Sequence, residues 1–517
     1  MIPNFRVDQP NNGSQNHILT FPSVPREVNS SAGRQAQAST MSSTSDMATT
    51  HILVFPYPAQ GHMLPLLDLT HQFALRGLTI TIFVTPKNLP ILSPLLSIHP
   101  SIQTLVLPFP PHPNLPQGVE NVRDIGSAGN IHIIGALRQL HDPLLRWFHS
   151  HPSPPEAIVS DFFLGWTLRL AQQLRIPRIA FFSSSAFLAS VNYHCWRNTR
   201  IVSSTPLAHF PDLPRSPSFK QEHLPSRFLT YSESNPDTAF LKDDDLANTS
   251  SWACIFNSFD ELEGQFLDHL RKVVGHVRVY GVGPLSLVGI NDGANRGSPD
   301  SDSGTDVLAW LDGCPDGSVL YVCFGSQKLL NRQQMEALAS GLEKSGTRFV
   351  WVVKAGTTQQ EADGYGVVPE GFEERVDGRG VIVKGWAPQV RILSHVAVGG
   401  FVSHCGWNSV LEGIVGGTMI LGWPMEADQF VNARLLVEDM GVAVRVCEGA
   451  DSVPDPAHLA GLIAESMGGE SGQKARAREL RDKALEAVRD DGSSSRDLDA
   501  LVKELRPSHD ASCRFLQ

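Results

Sequence analysis

The sequence predicts two α/β domains, each built on a parallel sheet, that face each other across a ligand cleft. Short apolar strands alternate with helices of regular apolar spacing in residues 49–288, and the same alternation returns in residues 305–485. A linker rich in Gly, Ser and Asp, residues 289–304, separates the two series. Such alternation is typical of βαβ units. Because parallel sheets bind ligands beyond the carboxyl ends of their strands, we expect the site in the cleft.

The composition predicts a soluble globular protein and argues against two classes of partner. Of the 517 residues, 41% are hydrophobic and 18% charged, which is ordinary for a globular chain of more than one domain. The formal net charge of −11 argues against nucleic acids and anionic membranes, because both attract basic faces. No apolar run reaches the roughly 18 residues of a membrane span. Seven scattered cysteines without a CxxC motif indicate reduced thiols and a cytoplasmic protein.

Residues 1–48 differ in character from the segment that follows them. They are rich in Ser, Asn and Gln and lack apolar periodicity, which is typical of a disordered extension. Two alternatives stay open: a plastid transit peptide, or an upstream start ahead of Met41 or Met47. At the other end, residues 508–517 are interpreted as a tail.

The first domain, residues 49–288, is predicted from its alternation. Its predicted strands are residues 51–57, 79–85, 102–108, 157–161, 178–182, 252–258 and 276–284, and its helices 62–76, 131–148, 165–174 and 260–272. Residues 201–250 interrupt this pattern with six prolines, which predicts a long loop without regular structure. A long loop inside a compact domain is often functional, so this segment is a candidate for ligand binding.

The second domain, residues 305–485, repeats the pattern. Its predicted strands are residues 318–325, 348–353, 380–386, 398–404 and 419–424. Residues 473–505 are charged and helical in pattern. We expect the last helix, within residues 486–507, to pack back on the first domain.

Residues 386–429 contain the side chains that a nucleotide sugar requires: aromatic planes for a base, donors for a diphosphate, and acids and amides for sugar hydroxyls. Their centre, FVSHCGWNSVLEG (401–413), predicts a strand ending near His404, a turn that uses the freedom of Gly406, and a helix capped by Asn408 or Ser409. Free N–H groups at a helix start attract phosphate. Glu412, placed in the first helical turn, either complements the helix dipole or binds a ribose diol.

This segment resembles the donor-binding signature of plant family 1 UDP-dependent glycosyltransferases. The match runs from WAPQ (386–389) through HCGWNS (404–409) to Trp423, Asp428 and Gln429, and the similarity extends from about His51 to Leu505. The chain departs from the signature at Val410, Thr418 and Met419, away from the implied contacts. The resemblance implies facing Rossmann-like domains of the GT-B type, with UDP-glucose as co-substrate and no cofactor.

The resemblance also assigns contacts to particular residues. The implied donor-binding set is Ser326, Trp386, Ala387, Gln389, His404, Gly406, Trp407, Asn408, Ser409, Glu412, Asp428 and Gln429, with Ser183 from the first domain. Within this set, the resemblance implies that Trp386 and Ala387 bind the uracil base and that Gln389 and Glu412 bind the ribose. The implied diphosphate ligands are Ser326, His404, Asn408 and Ser409. The implied sugar ligands are Trp407, Asp428 and Gln429. Gln429 implies glucose, since related enzymes for other sugars often carry His there.

Sugar transfer to a hydroxyl requires a base, and His62 is the candidate. It follows strand 51–57 at the start of a helix, where a parallel sheet presents ligands. Asp161 ends strand 157–161 of the same sheet and either orients a protonated His62 or caps the next helix. The family resemblance assigns His62 as the base and Asp161 as its partner.

The acceptor site is predicted in the first domain. Phe162, Phe163, Phe182, the loop 109–117 and the segment 201–250 suit a flavonoid or another phenolic. Two Asp-x-Asp strings, Asp243–Asp245 and Asp300–Asp302, are interpreted as solvated turns, and no metal is predicted. We expect a monomer. UDP-rhamnose or another UDP-sugar as donor, or a non-catalytic UDP-sugar-binding protein, remain alternatives.

Overall fold

Two parallel sheets organise the chain, which confirms the predicted fold class. The computed structural model describes residues 49–199, 206–235, 238–290 and 303–506. The extension, most of the predicted linker, Asp300–Asp302 and the tail lie outside these residues. The strands of the first half are β1 (His51–Phe55), β2 (Thr79–Val84), β3 (Gln103–Val106), β4 (Ala157–Asp161), β5 (Arg178–Phe182), β6 (Leu207–His209), β7 (Ser218–Lys220), β8 (Ala253–Phe256) and β9 (Val279–Gly281).

The first sheet has the strand order β3-β2-β1-β4-β5-β8-β9, with parallel pairing throughout. β1, β4, β5 and β8 are buried along their whole length, as expected for strands covered on both faces. The strand order reverses between β1 and β4. The loops after these two strands therefore diverge and leave a crevice at the sheet's carboxyl edge.

Helices cover this sheet. They are α1 (Gln60–Leu75), α2 (Ser93–Ile98), α3 (Asn130–Leu137), α4 (His141–Ser150), α5 (Thr167–Leu174), α6 (Ala186–Arg197), α7 (Ser226–Thr230), α8 (Phe240–Thr249) and α9 (Asp260–Val273). None of the helices in the described part of the chain is both long and apolar enough to cross a membrane.

The second sheet repeats the plan. Its strands are β10 (Val319–Cys323), β11 (Arg348–Val353), β12 (Gly380–Lys384), β13 (Val398–Ser403), β14 (Met419–Gly422) and β15 (Ala443–Arg445). The order β12-β11-β10-β13-β14-β15 reverses between β10 and β13, so the second crevice lies after those strands. The accompanying helices are α10 (Ser303–Asp312), α11 (Arg332–Ser345), α12 (Thr358–Ala362), α13 (Phe372–Arg375), α14 (Gln389–Leu393), α15 (Trp407–Gly416), α16 (Gln429–Arg434), α17 (Pro456–Met467), α18 (Gly472–Ala487) and α19 (Ser493–Leu505).

The last helix, α19, returns to the first sheet. The Asp497 carboxylate accepts a hydrogen bond from the Gly281 N–H (2.8 Å), and Glu504 accepts one from the Tyr280 hydroxyl (2.7 Å). Leu498, Leu501 and Val502 pack into the apolar core beneath that sheet. Helix α19 thus lies against strand β9.

Two sequence expectations about elements were wrong. The helix expected over 131–148 is divided into α3 and α4, because Pro143 lacks an N–H and is tolerated only in the first turn of a new helix. Segment 201–250 is not a structureless loop: its described part holds the β6–β7 hairpin and helices α7 and α8. Pro206, Pro217 and Pro225 stand immediately before β6, β7 and α7, so these prolines mark element boundaries.

Candidate functional site

A cavity of about 1170 Å³ lies where the carboxyl ends of the two sheets meet. The first half contributes the loops after β1, β4 and β5, and the second half contributes the loops after β10, β12, β13 and β14. Its size is in the upper range of small-molecule sites and suits two ligands bound side by side.

His62 and Asp161 meet at the strand-order reversal of the first sheet. His62 lies in the first turn of α1, and its Nδ1 is 2.9 Å from Oδ2 of Asp161 at the end of β4. The His62 side chain is 18% exposed, whereas that of Asp161 is completely buried. An ionised carboxylate can only accept, so Nδ1 carries the proton and Nε2 presents a lone pair. The geometry is that of a general base with an orienting carboxylate.

Aromatic rings fix the plane of the His62 imidazole. Phe162 stacks on it at a centroid distance of 5.4 Å, and Tyr57 meets it edge-on at 5.2 Å. Phe163 completes the enclosure at 4.6 Å. These contacts limit ring rotation, so the free nitrogen keeps one direction.

Asp161 has both roles that its sequence position left open. While Oδ2 faces His62, Oδ1 accepts a hydrogen bond from the Phe163 N–H (2.9 Å) and caps the short 3₁₀ turn that follows β4. The cap holds the carboxylate in one rotamer. Capping and orientation of His62 are therefore performed together by the two oxygens of one side chain.

Arg178, which the sequence reasoning missed, supports the backbone at Asp161. It is 1% exposed, and burial lowers its pKa to about 10, so it stays charged at neutral pH. Its guanidinium donates to Ser160 Oγ, Thr167 Oγ1, Asn248 Oδ1, Ser251 Oγ and the carbonyls of Asp161 and Leu164. The available signal was a charged residue opening an otherwise apolar strand, RIAFF.

The second half presents a helix start to the cavity. After β13 the chain turns through Cys405, whose φ of 64° lies in the left-handed region, and Gly406 is the N-cap of α15. The first helical hydrogen bond is donated by the Val410 N–H to Gly406 O (3.0 Å). The N–H groups of the residues between Gly406 and Val410 point out of the helix start, which suits an anion.

The predicted role of Gly406 needs correction. Its φ of −63° is ordinary, and the unusual angle falls on Cys405. Glycine is required at 406 because a Cβ there would lie only 2.6 Å from Nε2 of His404. A Cβ at Gly325 would likewise lie only 2.8 Å from the same nitrogen. The helix cap is likewise Gly406 and not Asn408 or Ser409. The two glycines leave room for the imidazole of His404 beside the helix start.

His404 is held in its neutral form. Burial lowers its pKa to about 4, and Nδ1 has no hydrogen-bond partner among the described residues. A neutral imidazole offers one donor and one acceptor. It can therefore hydrogen-bond a diphosphate, although it brings no charge until an anion binds.

We expect this buried histidine to make folding stability pH-dependent. In the unfolded chain the imidazole titrates near 6.5, so the unfolded state binds more protons between pH 6.5 and 4. Above pH 6.5 this histidine does not disfavour the folded state. As the pH falls from 6.5 toward 4, protonation in the unfolded state lowers the free energy of unfolding. We expect urea unfolding to show that, between pH 7.5 and 5, the free energy of unfolding of the parent falls by about 1–2 kcal/mol more than that of His404→Gln. His149→Gln, at an exposed position of α4, is the control; equal losses in parent and His404→Gln would contradict the prediction.

The expectation that Glu412 lies in the first turn of α15 is wrong. The helix begins at Trp407, and its first turn contains no acidic residue. Glu412 instead accepts a hydrogen bond of 2.6 Å from Nε2 of Gln389, whose Oε1 accepts from Tyr321 (3.2 Å). Ser409, predicted to bind the diphosphate, lies 3.3 Å from the same Nε2 and so forms one cluster with the predicted ribose-binding side chains, Gln389 and Glu412. Helix-dipole stabilisation therefore does not explain Glu412.

Trp386, Ala387 and Ser326 also line the cavity. Trp386 follows β12 and is half-buried, whereas Ala387 is 7% exposed and Ser326, after β10, is exposed. The predicted base-binding and ribose-binding residues are therefore on one wall.

Trp407 and Asn408 bind the other half of the protein. The Trp407 indole N–H donates to Asn257 O (2.8 Å), and its side chain is buried. Asn408 Nδ2 donates to the carbonyl of Gly61 (2.8 Å), the residue before His62. Both residues line the cavity as predicted, but their polar groups connect the two halves.

Asp428 and Gln429 complete the cavity wall near His62. Burial raises the pKa of Asp428, and a hydrogen bond from Asn432 partly offsets this rise. Gln429 Oε1 accepts from the N–H groups of Met425 (2.9 Å) and Glu426 (3.1 Å). Its orientation is therefore fixed, with the amide nitrogen left for another partner.

The acceptor side differs in part from the prediction. Ser183, Phe162 and Phe163 line the cavity, but Phe182 does not: it is buried behind Phe162, stacked on Phe256 at 4.3 Å. The loop 109–117 also stands outside the lining. Its place is taken by residues 127–134 and by residues between 225 and 245, which the hairpin and helices of that segment bring inward.

The string Asp243–Asp245 is not a solvated turn. It lies within α8, where Asp244 is buried and its Oδ1 accepts from Arg138 (2.6 Å), and Asp245 pairs with Arg227. Burial raises the pKa of Asp244 to about 6. These carboxylates therefore serve as partners of arginines that border the acceptor side.

Comparison with known proteins identifies the family. The chain is 56% identical over 459 residues to UDP-glycosyltransferase 89A2 of Arabidopsis thaliana, a match that covers 88% of this chain and 95% of that protein. The chain belongs to the plant family 1 UDP-glycosyltransferases. The family model described as "UDP-glucoronosyl and UDP-glucosyl transferase" matches residues 287–456.

Two further relatives of this UDP-glycosyltransferase bear on its site. Flavonol 3-O-glucosyltransferase UGT89B1 of Arabidopsis thaliana is 48% identical, covering 88% of this chain and 96% of that one. The crystal structure of Arabidopsis thaliana UGT89C1 with UDP-L-rhamnose superposes with a TM-score of 0.74 at 39% identity, covering 89% and 100%. Both halves of the fold are therefore shared with enzymes of the family.

Proposed function

We propose that the enzyme transfers glucose from UDP-glucose to a hydroxyl of a small aromatic acceptor, with inversion at the anomeric carbon and without a metal ion. The observation that carries this proposal is the His62–Asp161 pair, 2.9 Å apart, beside a cavity that the 386–429 segment also lines. The similarity to a flavonol glucosyltransferase supports a flavonol or a related phenol as acceptor.

In the proposed reaction, Nε2 of His62 takes the proton of the acceptor hydroxyl as its oxygen attacks the anomeric carbon. The new bond forms on the face opposite the diphosphate while the bond from carbon to the diphosphate oxygen breaks. Asp161 stabilises the imidazolium that results. A positioned base of this kind contributes roughly 10²–10⁴-fold to the rate.

The departing UDP receives the displaced electron pair and needs stabilisation. The N–H groups at the start of α15 and the imidazole of His404 supply donors at a positive helix end. Within the string Asp243–Asp245, Asp244 pairs with Arg138 and Asp245 with Arg227, so these two carboxylates are not offered as metal ligands. We therefore assign leaving-group stabilisation to the protein's own donors.

Glucose is proposed on the strength of Gln429 and Asp428. The Gln429 amide nitrogen can donate to a sugar hydroxyl, and the Asp428 carboxylate can accept from one. Rhamnose is the second candidate, because a relative of the same fold has been crystallised with UDP-L-rhamnose. A non-catalytic UDP-sugar-binding protein is disfavoured, because both His62 and Asp161 are present and joined.

A panel of donors and acceptors tests this proposal. UDP-glucose, UDP-rhamnose and UDP-xylose are each incubated with quercetin and several simpler phenols, with and without EDTA, and products are read by mass spectrometry and NMR. We expect β-glucosides, formed equally well with EDTA. Product from UDP-rhamnose alone would overturn the sugar assignment, and binding of UDP-glucose without product across the panel would overturn catalysis.

A further inference from the structure

Asn432 lies at the centre of a buried hydrogen-bond network that joins the two halves of the enzyme. It lies in α16 and is 0% exposed. Its Nδ2 donates to Oδ2 of Asp428 (2.7 Å) and to the carbonyl of Cys405 (3.0 Å). Its Oδ1 accepts from Oγ of Ser185 (2.9 Å), the N-cap of α6 in the first half.

The chemistry of the partners allows only one orientation of this amide. A backbone carbonyl such as that of Cys405 can only accept, so the group that faces it must be the NH₂. Ser185 Oγ already accepts from the Leu188 N–H (3.1 Å), so its proton is available for Asn432 Oδ1. Both N–H bonds and the carbonyl of Asn432 are thus used, and a flipped amide would set like groups against each other.

This arrangement fixes the carboxylate of Asp428. With Oδ2 held by Asn432, the carboxylate cannot rotate freely, and the side chain lies on the wall of the cavity. The hydrogen bond from Asn432 lowers the pKa that burial raises, and so favours the ionised, accepting form. An oriented acceptor therefore lies beside the Gln429 amide, whose direction is fixed by the 425–426 backbone.

We propose that Asn432 is a positioning residue for recognition of the transferred sugar: it holds Asp428 in the orientation that accepts a hydrogen bond from a sugar hydroxyl. This inference rests on the proposed function, in which Asp428 contacts the sugar. It adds a residue that does not line the cavity and touches the donor only through its neighbour.

The test compares the affinity for UDP-glucose with that for UDP, which lacks the sugar. Asn432→Asp keeps the shape of the side chain but places a second carboxylate beside Asp428 and sets oxygen against Cys405 O. We expect calorimetry on the full chain to show a 10–100-fold loss of UDP-glucose affinity, since a hydrogen bond to a charged group contributes about 1.5–3 kcal/mol. UDP affinity should change by less than about threefold, which corresponds to about 0.65 kcal/mol. General damage to the fold would weaken both ligands.

Two control variants separate the possible failures. Asp428→Asn should lower the UDP-glucose affinity alone; if it does not, the proposed sugar contact of Asp428 is wrong. If Asp428→Asn has the effect and Asn432→Asp does not, the role of Asn432 is wrong. Ser185→Ala removes the link between the halves but leaves the Asp428 contact, so it should preserve the ratio of the two affinities. If Ser185→Ala lowers the UDP-glucose affinity relative to the UDP affinity, Asn432 acts by joining the halves, and the inference is overturned. If Asn432→Asp does not fold, Asn432→Ala, which adds no charge, is read against the same outcomes.

Discussion

Replacing His62 with alanine is expected to lower kcat for glucosyl transfer by about 10²–10⁴-fold. The free Nε2 of this ring is the proposed acceptor of the hydroxyl proton, and alanine leaves the attacking oxygen protonated. UDP affinity should stay within a few-fold, because the proposed UDP contacts come from the second half of the chain. Turnover of UDP-glucose with a phenolic acceptor gives kcat, and calorimetry gives the UDP affinity.

Asp161→Asn is the matched variant for this prediction. It preserves shape but loses the acceptor that holds the Nδ1 proton, so we expect a similar fall in kcat. Because the two side chains act as one unit, the double variant should be no slower than the slower single variant. Near-native turnover in His62→Ala, or additive losses in the double variant, would contradict the proposed roles.

Arg178→Met should lower the free energy of unfolding by about 2–5 kcal/mol. The methionine fills most of the volume but removes the donor of the Asn248 side-chain oxygen and the guanidinium hydrogen bond to the Asp161 carbonyl. Each buried polar group without a partner costs about 1–3 kcal/mol. Urea unfolding followed by circular dichroism measures the change.

Arg169→Met is the control for this stability prediction. Arg169 is exposed on α5, close in sequence to the Arg178 network, so its replacement should cost less than about 0.5 kcal/mol. Equal losses in the two variants would show that the buried hydrogen bonds of Arg178 do not stabilise the fold. We also expect a lower kcat in Arg178→Met, because the Asp161 backbone loses its support.

Most strands of the two large sheets were predictable because they are short apolar runs, whereas β6, β7 and β15 were not predicted. RFVWVV matches β11 from end to end, and after Arg348 every residue is apolar and buried, as expected for a strand covered on both faces. Helices were less predictable where a proline intervened. Pro143 is compatible with the first turn of a helix or with a break, and the sequence pattern alone did not separate α3 from α4.

The site was predictable where it depends on strand ends. His62 and Asp161 follow β1 and β4, and adjacency of those strands brings the side chains to 2.9 Å. Details that depend on backbone geometry were not predictable. The left-handed turn lies at Cys405, whereas Gly406 makes space for His404, a constraint that appears only when the loops after β10 and β13 are side by side.

The sequence by itself determined the two-sheet architecture, the residues at the strand ends and the family, because these follow from local apolar patterns and from a contiguous signature. The tertiary structure alone decided which signature side chains also bind the other half. The Trp407–Asn257, Asn408–Gly61 and Asn432–Ser185 hydrogen bonds join residues 150, 347 and 247 positions apart. Partners at such separations are set by how the halves pack, and local periodicity carries no record of that packing.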